Sequence, residues 1–105
     1  MKKVKQVLRS TIAALQGKRI LVIGDMVADI YLDGRISRIS REAPVLVLEQ
    51  AGEKIVAGGA ANVVNNIATL GGTAYAAGLV GADKEAQGLK DILAGNGAHT
   101  EGLLT

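Results

Sequence analysis

Two aspartates, a pair of glycines and an asparagine are the residues of this sequence whose types and spacing could hold a small polar ligand. Asp25 and Asp29 follow the apolar run Ile20-Leu21-Val22-Ile23. A continuous run of that kind reads as a strand covered on both faces of a parallel sheet, and ligands of open α/β sheets bind beyond the carboxyl ends of such strands. Gly58-Gly59 opens a second stretch, Gly58 to Gly72, with a helical pattern in its middle. Glycines there let the backbone approach a ligand with no Cβ in the way, and the start of a helix aims free N–H groups and partial positive charge at the same spot. Asn62, in the first turn, adds an amide that both donates and accepts. Such a corner suits a polyhydroxylated or anionic small molecule. A plainer alternative stays open at this point: a tight turn at Gly58-Gly59, caps at Asn62 and Asp25, and a solvated Asp29.

The elements that must position these residues follow from periodicity. Val4, Val7, Leu8, Ile12 and Leu15 predict a helix over 4–15 that Gly17 stops. Ile20–Ile23 is the first strand. Over 30–57 the texture changes to short alternating runs, with Val45–Leu48 after the only proline and Ile55-Val56 after Gly52, which reads as a hairpin turn. The expectation is a small antiparallel layer inserted between the first strand and the Gly58 helix. That helix carries Val63, Val64, Ile67 and Leu70 on one face and ends at Gly71, where positive φ is cheap for glycine. Thr73–Leu79 reads as a second strand and Asp83 as a cap. Ala86, Leu89, Ile92 and Leu93 form a helix face ended by Gly95-Asn96-Gly97, and His99–Thr105 begins a further strand. Alternating β and α elements imply a parallel sheet with right-handed crossovers, hence an α/β fold with helices on the sheet and an inserted β layer. Two or three strands make a small sheet, so residues 1–105 read as the first part of a longer single domain.

Composition narrows the function. The 105 residues hold 12 basic and 10 acidic side chains, a balance that gives no argument for nucleic acid. No apolar run approaches the roughly 18 residues of a membrane span, and the basic N-terminus lacks the apolar core of a signal peptide. Zero cysteine excludes disulfides and thiolate metal sites and fits a cytoplasmic protein. No His/Asp/Glu cluster has metal-ligand spacing. Gly24 lacks the partners of a G-x-G-x-x-G fingerprint, and no G-x-x-x-x-G-K-[ST] loop occurs. A core without Phe or Trp must be filled by Val, Ile, Leu and Ala.

Gly58-Gly59, Asn62, Gly71 and Gly81 stand at the distances of the amino-terminal signature of the PfkB (ribokinase-like) carbohydrate kinases, which this sequence resembles. Ser37-Arg38-Ile39-Ser40-Arg41-Glu42-Ala43-Pro44-Val45 is similar to the S-R-I-S-x-E-A-P-V run of the branch that acts on heptose 7-phosphate for ADP-heptose and lipopolysaccharide synthesis. Gly24-Asp25 and Asp29-x-Tyr31 look like that branch too, and the resemblance covers about residues 18–95. Val64 stands where the signature prefers a smaller residue, which bears on helix packing. Arg41 stands where the branch has proline.

The resemblance implies the N-terminal portion of a ribokinase-like fold and an ATP- and Mg2+-dependent transfer of phosphate to a sugar hydroxyl. It assigns the sugar side to this chain. Asp29 accepts from hydroxyls, Gly58 and Gly59 make room, Asn62 hydrogen-bonds the sugar, and Arg38, with Arg41, could pair a substrate phosphate. The β layer would close over substrate as a lid. Val45–Leu48 and Ile55-Val56 would leave that layer uncovered in a lone protomer, which predicts a homodimer through it, or aggregation. The family's catalytic aspartate lies in a G-A-G-D motif, which these residues lack. They therefore carry no catalytic residue and no ATP or metal site of their own. The alternatives are a kinase of another sugar or of a nucleoside, and a non-catalytic dimerisation module. Purified residues 1–105 are expected to give no ATP-dependent turnover of heptose 7-phosphate above a blank in a coupled ADP-release assay.

Overall fold

In the computed structural model, which describes residues 1–105, the order of elements is α1 (Lys2–Ala13), β1 (Arg19–Ile23), β2 (Met26–Ile39), β3 (Leu46–Gly59), α2 (Ala60–Thr69), β4 (Thr73–Leu79), α3 (Lys84–Gly95) and β5 (His99–Leu104). Strands β1, β4 and β5 form a parallel sheet in that spatial order, and β2 and β3 form a separate antiparallel hairpin. The expected α/β architecture with an inserted β layer is what the chain adopts. No helix is long and apolar enough to cross a membrane.

The core is made largely of small residues. Ala74 and Ala76 on β4 and Leu103 on β5 pack against Ala61 and Val64 of α2 and Leu89 and Leu93 of α3. Because Ala57, Ala61, Ala74 and Ala76 have almost no side chain, the helix comes close to the strands, and the β-branched Val64 is fully buried among them, 0% exposed. The inward face of α2 differs from the expected one. Ala61 and Val64 are buried and Ile67 and Ala68 partly so, while Val63 and Leu70 are exposed. Counting large residues finds the wrong stripe when the contact is built from alanines.

Both core helices close in the same way. Gly71, at φ 93°, and Gly97, at φ 87°, follow the caps of α2 and α3. The N–H groups of Gly72 and Ala98 reach back to Ile67 and Leu93 at 3.0 Å each, the doubled closing bond of a glycine-terminated helix. Asp83 caps α3 as expected, its carboxylate accepting from the Ala86 N–H at 2.8 Å.

The hairpin corrects the sequence reading. Gly52 is not a turn: Val45–Leu48 and Ile55-Val56 belong to one turn end and one continuous strand, β3. The turn is at Ser40–Val45, where the Ser40 N–H donates to the Val45 carbonyl at 2.8 Å. Gly52 lies opposite Asp33, beside a shift of register between Asp33 and Gly34, so glycine serves a bulge here. A second shift lies between Ile36 and Arg38. The two strands are 14 residues each, about 46 Å at strand rise. The hairpin therefore projects far beyond the sheet, and the Cα radius of gyration is 19.5 Å, against about 13 Å for a compact chain of this size.

Large apolar surface stays open. Helix α1 buries none of its residues, and on the sheet face away from α2 and α3, Ile23 and Leu79 are 74% and 78% exposed. Stability in this chain should therefore depend on few positions. Leu93→Ala, in the closed core, is expected to cost about 2–5 kcal/mol, and Leu8→Ala on the uncovered α1 under about 0.5 kcal/mol, both read from urea unfolding curves.

Candidate functional site

The corner expected from the glycines forms where three chain segments meet. Strand β1 ends at Ile23, and Gly24 and Asp25 carry the chain into β2. The hairpin returns along β3 and delivers Gly59 beside Asp25, and the Asp25 carbonyl accepts the N–H of Ala60, first residue of α2, at 2.8 Å. Gly59 has φ 56° and ψ −133°, a conformation closed to side-chain-bearing residues. A Cβ there would lie 2.6 Å from the Asp25 carbonyl oxygen. The pair of glycines thus makes room, at Gly59, for the backbone of the preceding loop.

Gly58 makes room for Asp29. The two strands pair Val27 with Gly58 and Asp29 with Val56, so Asp29 lies diagonally across the ladder from Gly58 on one face. Its carboxylate sits directly over the glycine. A Cβ on Gly58 would overlap one carboxylate oxygen of Asp29 and come within 2.9 Å of its Cγ. Gly58 is buried and Asp29 exposed. The Asp29 carboxylate takes part in none of the chain's side-chain hydrogen bonds or ion pairs.

Asn62 stands in the first turn of α2, exposed, and its amide has no partner in the chain. The helix is capped by Gly59, which offers no side chain to the first-turn N–H groups, so Asn62 is not the cap. Free acceptors on Asp29, a free amide on Asn62 and an uncapped helix start share one corner beyond the carboxyl end of β1. Asp29 lies against Gly58, and Gly59 starts the helix whose first turn carries Asn62.

Arg38 stands apart from them. It pairs with Val47 near the far end of the hairpin, nine residues along β2 from Asp29, which is about 30 Å at strand rise. There Arg38, Ser40, Arg41 and Glu42 line an open, wholly polar recess. Two features escaped sequence reasoning. One is the carbonyl of Asp25, a backbone group with no sequence signal. The other is a crevice of about 150 Å3 under the opposite face of β2, bounded by Met26, Ala28, Val80 and the start of α3, which depends on how the hairpin lies on α3. No cluster of His, Cys, Asp or Glu could hold a metal ion.

With the geometry established, comparison with known proteins places the chain. The profile described as pfkB family carbohydrate kinase matches residues 18–104. Curated relatives called bifunctional protein HldE include those of Desulfatibacillum aliphaticivorans, 49% identical over 86 residues and 82% of this chain, Azorhizobium caulinodans, 52% over 83 residues and 79%, and Mesorhizobium japonicum, 44% over 96 residues and 91%. The matched parts are 18%, 17% and 19% of those proteins, so the chain spans less than a fifth of their length. A crystal structure from Agrobacterium tumefaciens, described as a ribokinase, superposes with a TM-score of 0.61 at 23% identity, over 85% of this chain and 28% of that one. The fold is ribokinase-like.

The backbone of the corner can be tested apart from any ligand. Gly59→Ala is expected to lower stability by about 1–3 kcal/mol. Gly95→Ala, where nothing lies within 4 Å of the added Cβ, should raise it by about 0.4–1 kcal/mol. Both are read from thermal or urea unfolding.

Proposed function

The chain belongs to the pfkB family of carbohydrate kinases, and on that premise we propose that it is the sugar-binding side of an ATP-dependent kinase whose substrate is heptose 7-phosphate, in the synthesis of ADP-heptose. The observation that carries this reading is the free carboxylate of Asp29 held over Gly58 beside the open start of α2. A sugar offers several hydroxyls, each able to donate to a carboxylate and accept from an amide. Asp29 accepts hydrogen bonds from two such hydroxyls, Asn62 supplies both a donor and an acceptor for a third, and the first-turn N–H groups of α2 orient electron-rich oxygen toward the helix start. Gly58, lacking a Cβ, keeps the carboxylate in place.

The match of Ser37–Val45 to the heptose-phosphate branch supports this substrate over another sugar or a nucleoside. The residues present do not fit a Mg-ATP site: no metal-binding cluster exists among them, and no G-A-G-D occurs. Donor binding and proton abstraction are therefore assigned to the remainder of the protein, which works in the cytoplasm. The hairpin acts as the lid that shields the sugar from water. Its outer apolar residues are exposed, which favours a homodimer closed through this layer.

Asp29→Asn in the complete protein is expected to weaken sugar binding about ten- to a hundredfold, since a bond to a charged group is worth about 1.5–3 kcal/mol, and Asn62→Ala about two- to tenfold, since a neutral bond is worth about 0.5–1.5 kcal/mol. ATP affinity should stay nearly constant. Calorimetric titration with each ligand measures both. Sugar affinity unchanged in folded variants would reduce Asp29 and Asn62 to a solvated strand residue and a helix surface residue.

A further inference from the structure

Helix α1 (Lys2–Ala13) takes no part in the core or the sugar corner, and it precedes the family-matched residues 18–104. All of its residues are exposed. Val4, Val7, Leu8 and Ile12 recur at helical spacing on one side, each 56–60% exposed. Thr11 falls within the same stripe, and its hydroxyl donates to the Val7 carbonyl at 2.9 Å, so the stripe carries no unpaired donor. Leu15, just past the helix, lines an apolar groove with Ile20, Ile67 and Leu70.

The charge on this helix has one sign. Residues 1–17 hold Lys2, Lys3, Lys5 and Arg9, four of the chain's 12 basic side chains, and none of its 10 acidic ones. None of the four is ion-paired; the chain's two ion pairs are Lys84–Glu85 and His99–Glu101. Lys2, Lys3 and Lys5 crowd the start of the helix, whose first turn has no acidic residue. Cations there oppose the helix dipole, so helix stability does not account for them. Viewed down the axis, Lys3 and Lys5 flank the apolar stripe on its two sides, and Lys2 and Arg9 lie roughly opposite its middle. A second α1 laid on this face would bring four more cations against these four, so pairing of two copies here is opposed by charge. A surface that is apolar within and anionic at its boundary satisfies the stripe and the lysines together. A bilayer containing anionic lipid is such a surface.

We propose that α1 lies flat on an anionic bilayer, with Val4, Val7, Leu8 and Ile12 at the boundary of head groups and chains, and Lys3 and Lys5 reaching lipid phosphates. Its 12 residues are about 18 Å long, too short to cross, so the helix rests on the surface. The link to the sheet is pinned. Gly17, at φ 71°, donates its N–H to the Gly71 carbonyl at 2.9 Å, and the Thr73 N–H donates to the Lys18 carbonyl at 2.7 Å. These bonds hold α1 at the start of β1, whereas the sugar corner lies beyond the end of β1. A protein tethered through α1 therefore meets the membrane by the end of the sheet away from the corner, and the corner stays open to dissolved ligands. This holds whatever the corner binds.

The test is co-sedimentation of the complete protein with lipid vesicles. Vesicles of phosphatidylcholine mixed with phosphatidylglycerol are expected to carry the protein down, and vesicles of phosphatidylcholine alone to carry far less, with binding falling as salt rises. Deleting residues 2–13 should abolish it. Lys2→Gln/Lys3→Gln/Lys5→Gln/Arg9→Gln should weaken partition at least about a hundredfold, at about fivefold per cation. Leu8→Gln/Ile12→Gln, which leaves every charge in place, should weaken it at least about tenfold. No sedimentation above a lipid-free control, equal sedimentation with both kinds of vesicle, or binding that survives the deletion overturns the assignment. So does a lower urea midpoint, or a changed sedimenting mass, for lipid-free Leu8→Gln/Ile12→Gln, because the stripe is then covered by the rest of the protein or by a second copy.

Discussion

Everything in this chain that faces the candidate site is tied to one backbone contact, the Asp25 carbonyl on the Ala60 N–H across Gly59. It joins the exit of β1, the return of the hairpin and the start of α2. Only a residue free to take φ 56° can pass that point, and only one without a Cβ leaves space for the carbonyl. Once it is made, α2 begins at the carboxyl end of β1, Gly58 falls under Asp29, and Asn62 comes within the first turn of the helix. The contact places a polar corner while using no polar side chain of that corner, so Asp29 and Asn62 keep their hydrogen-bonding capacity for something else.

The same economy governs the packing behind the corner. A helix resting on alanines lies close to its sheet, and closeness makes a helix start reachable from the strand end. Ala57, Ala61, Ala74 and Ala76 set that distance, with Val64 filling the remaining space. Larger residues there would push α2 outward and draw Ala60 away from the Asp25 carbonyl.

Legibility in the sequence followed the range of the interaction. Glycines at Gly71 and Gly97 and the cap at Asp83 act on their own neighbours, and their roles were readable. The paired glycines were readable as a place of close approach, though not that Gly59 accommodates backbone and Gly58 the Asp29 carboxylate. The hairpin was not readable in detail, because Gly52 could be a turn or a bulge and only the partner strand decides. The imperfect alternation around Ser37-Arg38 looked like noise; the register makes it a bulge that keeps Ile39 on the apolar face and Arg38 on the polar one. The inward face of α2 was misjudged because periodicity weighs bulk, whereas Ala61 is buried for lack of it. The contact of Asp29 with Gly58 joins residues 29 positions apart, and no local pattern encodes it.

That same register decides what kind of lid the hairpin can be. Its polar face runs from Asp29 through Asp33 and Arg35 to Arg38, and its apolar face runs from Ala28 to Ile39. A short lid could fold its polar face over a ligand held at its own base. A hairpin of 14-residue strands cannot put both ends of its polar face on one small molecule, since the ends are about 30 Å apart. Either the arginine end is unrelated to the site or it serves a site elsewhere. An uncovered apolar face alongside, continuous with the core, costs solubility in an isolated protomer and is what a second copy would cover. Length and register in this one element therefore separate its arginine end from the corner at its base and set both on the side opposite its apolar surface.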